Sequence, residues 1–257
     1  MKKSTAIIFI FFVFISATVL GQAREYYQLK TYHFETDAQQ QMTDDYLKNA
    51  FLPALKRLDI VNVGVFKPRP TDSVTPKITY VLIPFNSLVQ FSLLEDTLMA
   101  DEIHQKDGKA YLSAAHDKAP YKRIESTLMK AFIDMPKMMA SKLDGPRKDR
   151  IYELRSYEAA TEDLYKKKVD MFNAGGEVKL FDRLGFNAVF YAEVLSGGQM
   201  PNLMYMTTHA SQEVRDANWK NFGEAPEWIK LKAVPKYQNT VSLNDTRFLY
   251  PTEYSDY

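Results

Sequence analysis

The sequence predicts an α+β chain made of two ferredoxin-like β-α-β-β-α-β modules, laid sheet against sheet with their helices outside. Three observations carry this. The stretch Ile151-Tyr152-Glu153-Leu154-Arg155-Ser156-Tyr157 alternates with period two, as a half-buried strand should. A looser copy, Tyr26-Tyr27-Gln28-Leu29-Lys30-Thr31-Tyr32, lies far upstream; placing Tyr27 on Tyr152 brings Gln28 onto Glu153, Lys30 onto Arg155 and Tyr32 onto Tyr157. The elements that follow each copy then recur in one order. A sheet with both helices on one face leaves the other face bare, and a second copy covers it.

The chain opens with the basic Met1-Lys2-Lys3, an almost unbroken apolar run from Ala6 to Leu20, and the small residues of Gly21-Gln22-Ala23. That order is the one a secretory signal peptide has, with the cut after Ala23. The apolar run is short for a membrane span. Residues 1–23 therefore precede a first module at 24–137, a linker at 138–149 holding Ser141, Gly145 and Pro146, and a second module at 150–257. The expected compartment is periplasmic or extracellular.

In the first module Asp37 to Leu58 reads as a helix, because Met42, Leu47, Ala50, Phe51, Ala54, Leu55 and Leu58 form an apolar stripe. Pro53 should kink or restart it. Ile60 to Phe66 is the second strand, a loop with Pro68, Pro70 and Pro76 follows, and Ile78 to Ile83 is the third. Asn86-Ser87 caps a helix running to about Met99. The polar stretch from Asp101 to Pro120 carries a short helix around Ala110 to Ala115, and Tyr121 to Ile133 is the fourth strand.

The second module repeats the series. Asp163 to Leu184 is a helix interrupted at Gly175-Gly176, about where Pro53 interrupts the first, and these two breaks should be equivalent. Phe186 to Glu193 and Leu203 to Thr208 are strands, Ser211 to Phe222 is a helix, and Thr240 to Leu249 is the last strand. Tyr80 pairs with Tyr205 at the offset that relates Tyr27 to Tyr152.

Composition excludes several classes. At 257 residues the chain holds two domains of ordinary size. Its formal charge of +1 becomes −1 once Lys2 and Lys3 are removed, so nothing electrostatic favours nucleic acid or an anionic bilayer. The cysteine count is zero, which excludes disulfides, thiol nucleophiles, cysteine-ligated metals and a cysteine-borne lipid anchor. The core alone must hold the fold, and 13% aromatic content suits that.

The second copy resembles the NIPSNAP family. Ile151 to Tyr157 looks like the opening signature of its domain, and Trp219-Lys220-Asn221-Phe222 with Glu224-Ala225-Pro226-Glu227-Trp228 looks like its aromatic close. Val169 to Glu177 is similar to exported bacterial members with tandem domains. The first copy matches more weakly: Lys30 stands where Arg is expected, and Asp101-Glu102 lacks the Pro and Trp found in the second. The resemblance implies a dimeric α/β-barrel fold and no particular reaction. Relatives of that fold include haem enzymes, cofactor-free monooxygenases and small isomerases.

Their equipment is hard to find here. His33, His104, His116 and His209 show no H-x-x-x-H or H-E-x-x-H spacing, although His116 or His209 could serve as a lone haem ligand. There is no G-x-S-x-G elbow, and Asn173-Ala174-Gly175-Gly176-Glu177 is not a phosphate loop. No metal site or cofactor is expected, and no catalytic motif is recognised. What remains is one strand face in each copy: Glu153, Arg155 and Tyr157, with Gln28, Lys30 and Tyr32. The alternation aims these toward the space between the sheets, with Tyr152/Leu154 and Tyr27/Leu29 toward the helices. There they could bind a small anionic or amphipathic ligand, or Glu153 and Arg155 could simply neutralise each other. Glu153 or Glu177 would supply the acceptor Arg155 needs. The expected function is a non-enzymatic ligand-binding or assembly module using the inter-sheet cavity. The alternative is a cofactor-free monooxygenase or isomerase-like enzyme. One chain satisfies both sheets, so a homo-oligomer is not required.

Overall fold

A computed structural model describes residues 23–70 and 75–257. Residues 1–22 of the expected signal segment at 1–23, and part of the proline-containing loop, lie outside the described residues. Eight antiparallel strands close into one barrel in the order β1-β3-β2-β8-β5-β7-β6-β4. The strands are β1 (Tyr26–His33), β2 (Gly64–Pro68), β3 (Ile78–Phe85), β4 (Arg123–Ala131), β5 (Ile151–Glu158), β6 (Ala188–Ser196), β7 (Asn202–His209) and β8 (Leu243–Pro251). Within each half the first strand pairs with the third and fourth, β1 with β3 and β4, β5 with β7 and β8. Two seams join the halves. Phe66 faces Pro251 between β2 and β8, and Ala131 faces Ala192 between β4 and β6. The expected sheets thus meet along their edges as well as their faces, which leaves no exposed sheet edge.

The main helices start on hydroxyl caps. Thr36 precedes α1 (Asp37–Tyr46) and forms a capping box with Gln39; Thr161 precedes α6 (Glu162–Phe172). Ser87 caps α3 (Leu88–Ala100), and Ser211 caps α8 (Gln212–Glu224). Each side-chain oxygen accepts a backbone N–H that the first turn would otherwise leave unpaired. The polar stretch after α3 holds two short helices, α4 (Glu102–Asp107), capped by Asp101, and α5 (Lys109–Leu112), rather than one near Ala110.

Both long helices are interrupted, by different means. The first gives way to a π-helical turn, Leu47–Phe51, and resumes as α2 (Leu52–Arg57) with Pro53, which has no N–H to give, directly after that turn. The second stops at Phe172 and restarts as α7 (Glu177–Arg183) after Gly176, whose φ of 85° is left-handed. β2 begins later than expected because Asp59 and Asn62 both take positive φ, so Ile60 to Val63 leaves the ladder.

Side chains fill three clusters. One lies inside the barrel and includes Tyr27, Leu29, Phe66, Leu82, Tyr152, Leu154 and Met206. The other two lie between the barrel and the helices of each half. The linker is docked: Met138 N–H donates to Glu25 Oε2 at 2.7 Å and Met139 N–H to the Val189 carbonyl at 3.0 Å. After α8 comes the short α9 (Pro226–Lys232), which carries Trp228 against the second helical cluster.

Candidate functional site

The register of β5 decides which of its faces meets the lumen. Leu154 lies opposite Met206 and Arg247, and Ser156 opposite Met204 and Asp245; these share the barrel interior with Tyr152. Glu153 and Arg155 lie opposite Thr207 and Tyr205 and face the helices. The expected assignment is therefore inverted: the charged face points to α8, and the Tyr/Leu face points inward. Both faces are buried, so alternation alone carried no information about which was inside.

On the helix side Glu153 is fully buried and saturated with donors. Its Oε1 accepts from Arg155 Nε at 2.7 Å and Arg215 Nη2 at 2.8 Å. Its Oε2 accepts from Arg215 Nε at 2.8 Å and Trp219 Nε1 at 2.9 Å. Burial pushes this carboxyl up, but the Arg215 hydrogen bonds, the Arg155 charge and Trp219 outweigh it and hold it below the ordinary carboxylate range. Arg155 lies 4.0 Å over the Trp219 ring and donates to Tyr157 Oη at 2.9 Å; that hydroxyl meets Tyr205 Oη at 2.7 Å. His209, fully buried beside Glu153 and Arg215, is pushed down to about 4 by burial. This is a closed ion-pair network with its acceptors supplied internally.

The first half places Gln28, Lys30 and Tyr32 in the same layer with the charges exchanged between elements. Gln28 Nε2 donates to Ser126 Oγ at 2.8 Å. Lys30 Nζ reaches Glu95 on α3 at 3.3 Å and sits 5.4 Å over Phe51. Tyr32 is buried among Val81, Leu94 and Leu98. The six residues selected from sequence are thus brought together in two groups of three, each against its own helices and neither in the lumen. Glu177 does not serve Arg155; it pairs with buried Lys168 at 2.9 Å. Tyr80 and Tyr205 are not counterparts either. Thr31 faces Tyr80 whereas Ser156 faces Met204, so Tyr80 is inside the barrel and Tyr205 outside it.

A concave site lies inside the barrel, at the end where β1 and β5 finish. A cavity of about 840 Å³ is walled there by residues of both halves, among them Leu29, Tyr80, Thr127, Leu154, Met204 and Arg247. The opposite end is filled: Phe66 packs between Tyr152 and Tyr257, at 5.0 and 5.8 Å between ring centroids, and Tyr27 against Phe190 at 5.5 Å. Leu29 and Leu154 separate the filled end from the open one.

Polar groups ring the open end in pairs. Arg247 Nε and Nη2 hold Asp245 at 2.9 and 2.8 Å, and Arg247 Nη1 donates to Tyr80 Oη. Ser156 and Asn202 exchange two hydrogen bonds, at 3.0 and 2.8 Å. His33 Nε2 lies 3.3 Å from Glu125. Arg247, Asp245 and Asn202 were not selected from sequence. They come from two strands far apart in the chain, and only the barrel register brings them beside Tyr80 and Ser156. Among the described residues no cluster of His, Asp and Glu has the geometry of a metal site.

Residues 152–256 match the NIPSNAP family model. No curated protein matches the chain. Solved structures match nearly all of it at low identity. A candidate monooxygenase from Lactobacillus acidophilus NCFM shares 10% identity over 89% of this chain and 94% of its own, with a TM-score of 0.56. A candidate monooxygenase from Fusobacterium nucleatum shares 9% over 90% and 93%, at 0.54. An anthrone oxidase-like protein shares 14% over 90% and 93%, at 0.51. At these identities the likeness is one of fold: a closed α+β barrel.

Proposed function

We propose that this chain, whose second half carries the NIPSNAP match, is an exported small-molecule-binding barrel made of two tandem NIPSNAP-like modules, at 24–137 and 150–257. The observation that carries the reading is the cavity of about 840 Å³, open at one end of the barrel and walled by both halves. Its size suits a small organic ligand, and its apolar inner wall with paired polar groups at the mouth is the usual make-up of such a site. The tandem reading draws on the repeated β-α-β-β-α-β order, the matched hydroxyl caps and the two seams. Export draws on the basic, apolar and small-residue order of 1–23. Each half covers the other's lumen face, so the single chain needs no second copy.

The Glu153–Arg155 network has a structural part in this reading, fixing α8 on the sheet. A cofactor-free oxygenase or isomerase would use the same cavity, and one observation favours it: His33 and Glu125 stand together at the mouth as an acid–base pair. Untargeted mass spectrometry of gently purified protein tests the main reading. Wild type should release a small molecule that Leu154→Trp, which fills the cavity, does not. Equal release from both would remove the cavity as the site. Under the enzyme reading the released compound would be converted by wild type and not by His33→Ala.

A further inference from the structure

Tyr80 is a buried polar group of the cavity wall with unspent capacity. It is 2% exposed, and its ring belongs to the lumen cluster. Its oxygen accepts from Arg247 Nη1, a bond that ties β3 of the first half to β8 of the second. A phenol carries one hydrogen of its own to donate. Tyr80 donates it to no protein group in any hydrogen bond recorded among the described residues. Burial raises the phenol and the adjacent Arg247 opposes this, with the net shift upward, so the hydrogen stays on. An O–H whose oxygen already accepts from a guanidinium is a strengthened donor.

The charges around it point to an uncharged partner. Arg247 gives two of its nitrogens to Asp245, and His33 stands against Glu125. Arg69, at the outer rim, donates to the carbonyls of Lys148 and Arg150. An anion entering would meet Asp245 and Glu125; a cation would meet Arg247. Leu29 and Leu154 meanwhile offer apolar surface deeper in, and Ile78 and Met204 add more nearer the mouth.

We propose that the Tyr80 hydroxyl, oriented by Arg247, is the anchoring donor for an uncharged, mainly apolar molecule that presents a carbonyl-type oxygen. This rests on the lumen being the small-molecule site. The ligand's oxygen would accept from Tyr80 at the wall, and its apolar body would lie over Leu29 and Leu154.

Fluorescence titration of the full chain with prodan, a neutral naphthyl ketone whose emission reports hydrogen bonding to its carbonyl, tests this. Anilinonaphthalene sulfonate is the anionic comparison. Wild type should bind prodan more tightly than the sulfonate, with the red-shifted emission of a hydrogen-bonded ketone. Tyr80→Phe, which keeps the ring, should bind about fivefold more weakly, the worth of one hydrogen bond, with blue-shifted emission, and should melt slightly lower because Arg247 Nη1 loses its acceptor. Leu154→Trp should not bind. If Tyr80→Phe matches wild type while Leu154→Trp does not bind, the anchor is overturned and the cavity stands. Tighter binding of the sulfonate would overturn the uncharged class. Prodan bound equally by wild type and Leu154→Trp, or by neither, would overturn the lumen as the site.

Discussion

Glu153 sits beneath two guanidinium groups, and that asymmetry ranks the residues around it. Arg215 spans both of its oxygens, whereas Arg155 reaches only one. Removing the carboxylate leaves both cations and the Trp219 N–H without their acceptor, so Glu153→Gln should destabilise by about 3–5 kcal/mol in urea unfolding. Arg155→Ala leaves Glu153 held by Arg215 and Trp219 and should cost less, about 1–3 kcal/mol. An equal cost for the two would mean that Arg155 rather than Glu153 is the hub. His209 sets the acid limb of stability. It is pushed down to about 4 in the fold against 6.5 when unfolded, so between those values the unfolded chain binds more protons. Stability is therefore full above about pH 6.5 and falls as pH drops toward 4, by about 3 kcal/mol from this group. Glu153, held below its ordinary value, adds a further loss in the same direction at lower pH. His209→Gln should flatten the curve between pH 6.5 and 4; an unchanged slope would place the acid sensitivity elsewhere.

At the scale of elements, the two helix breaks show what the sequence could and could not tell. Pro53 and Gly175-Gly176 mark interruptions in matching places, and both helices are interrupted. Their geometries were not legible, because the first helix departs from α geometry in the π turn at Leu47–Phe51, ahead of Pro53, while the second stops at the left-handed Gly176. A Cβ at Gly176 would meet nothing within 4 Å, so its cost is backbone strain alone. Gly176→Ala should destabilise by about 1–2 kcal/mol, and a neutral result would show that the break is held instead by the Lys168–Glu177 pair. The succession of strands and helices along the chain was legible from alternation and from the repeat. The inward face was not, since Tyr152, Leu154, Glu153 and Arg155 are all largely buried and a polar face against helices reads like a polar face in a cavity. The repeat itself misled at Tyr80. A one-residue change of offset in the third strand put Tyr80 inside the barrel and Tyr205 outside it.

At the scale of the molecule, closure makes the halves interdependent. β2 and β4 complete their ladders only against β8 and β6, and the lumen cluster draws side chains from both halves. The chain should unfold in one transition, with near-ultraviolet and far-ultraviolet dichroism coincident. Residues 150–257 alone would expose Tyr152, Leu154 and Met206 and should associate in pairs; a well-folded monomer of that half, seen by light scattering, would contradict the shared lumen. The absence of cysteine gives the account its most direct test. A thiol introduced by Thr31→Cys at the cavity wall should react with the small uncharged reagent N-ethylmaleimide in the native state, and the modified protein should no longer capture a small molecule. A thiol at position 31 that stays unreactive until the chain unfolds, or that reacts without affecting capture, would contradict a ligand site inside the barrel.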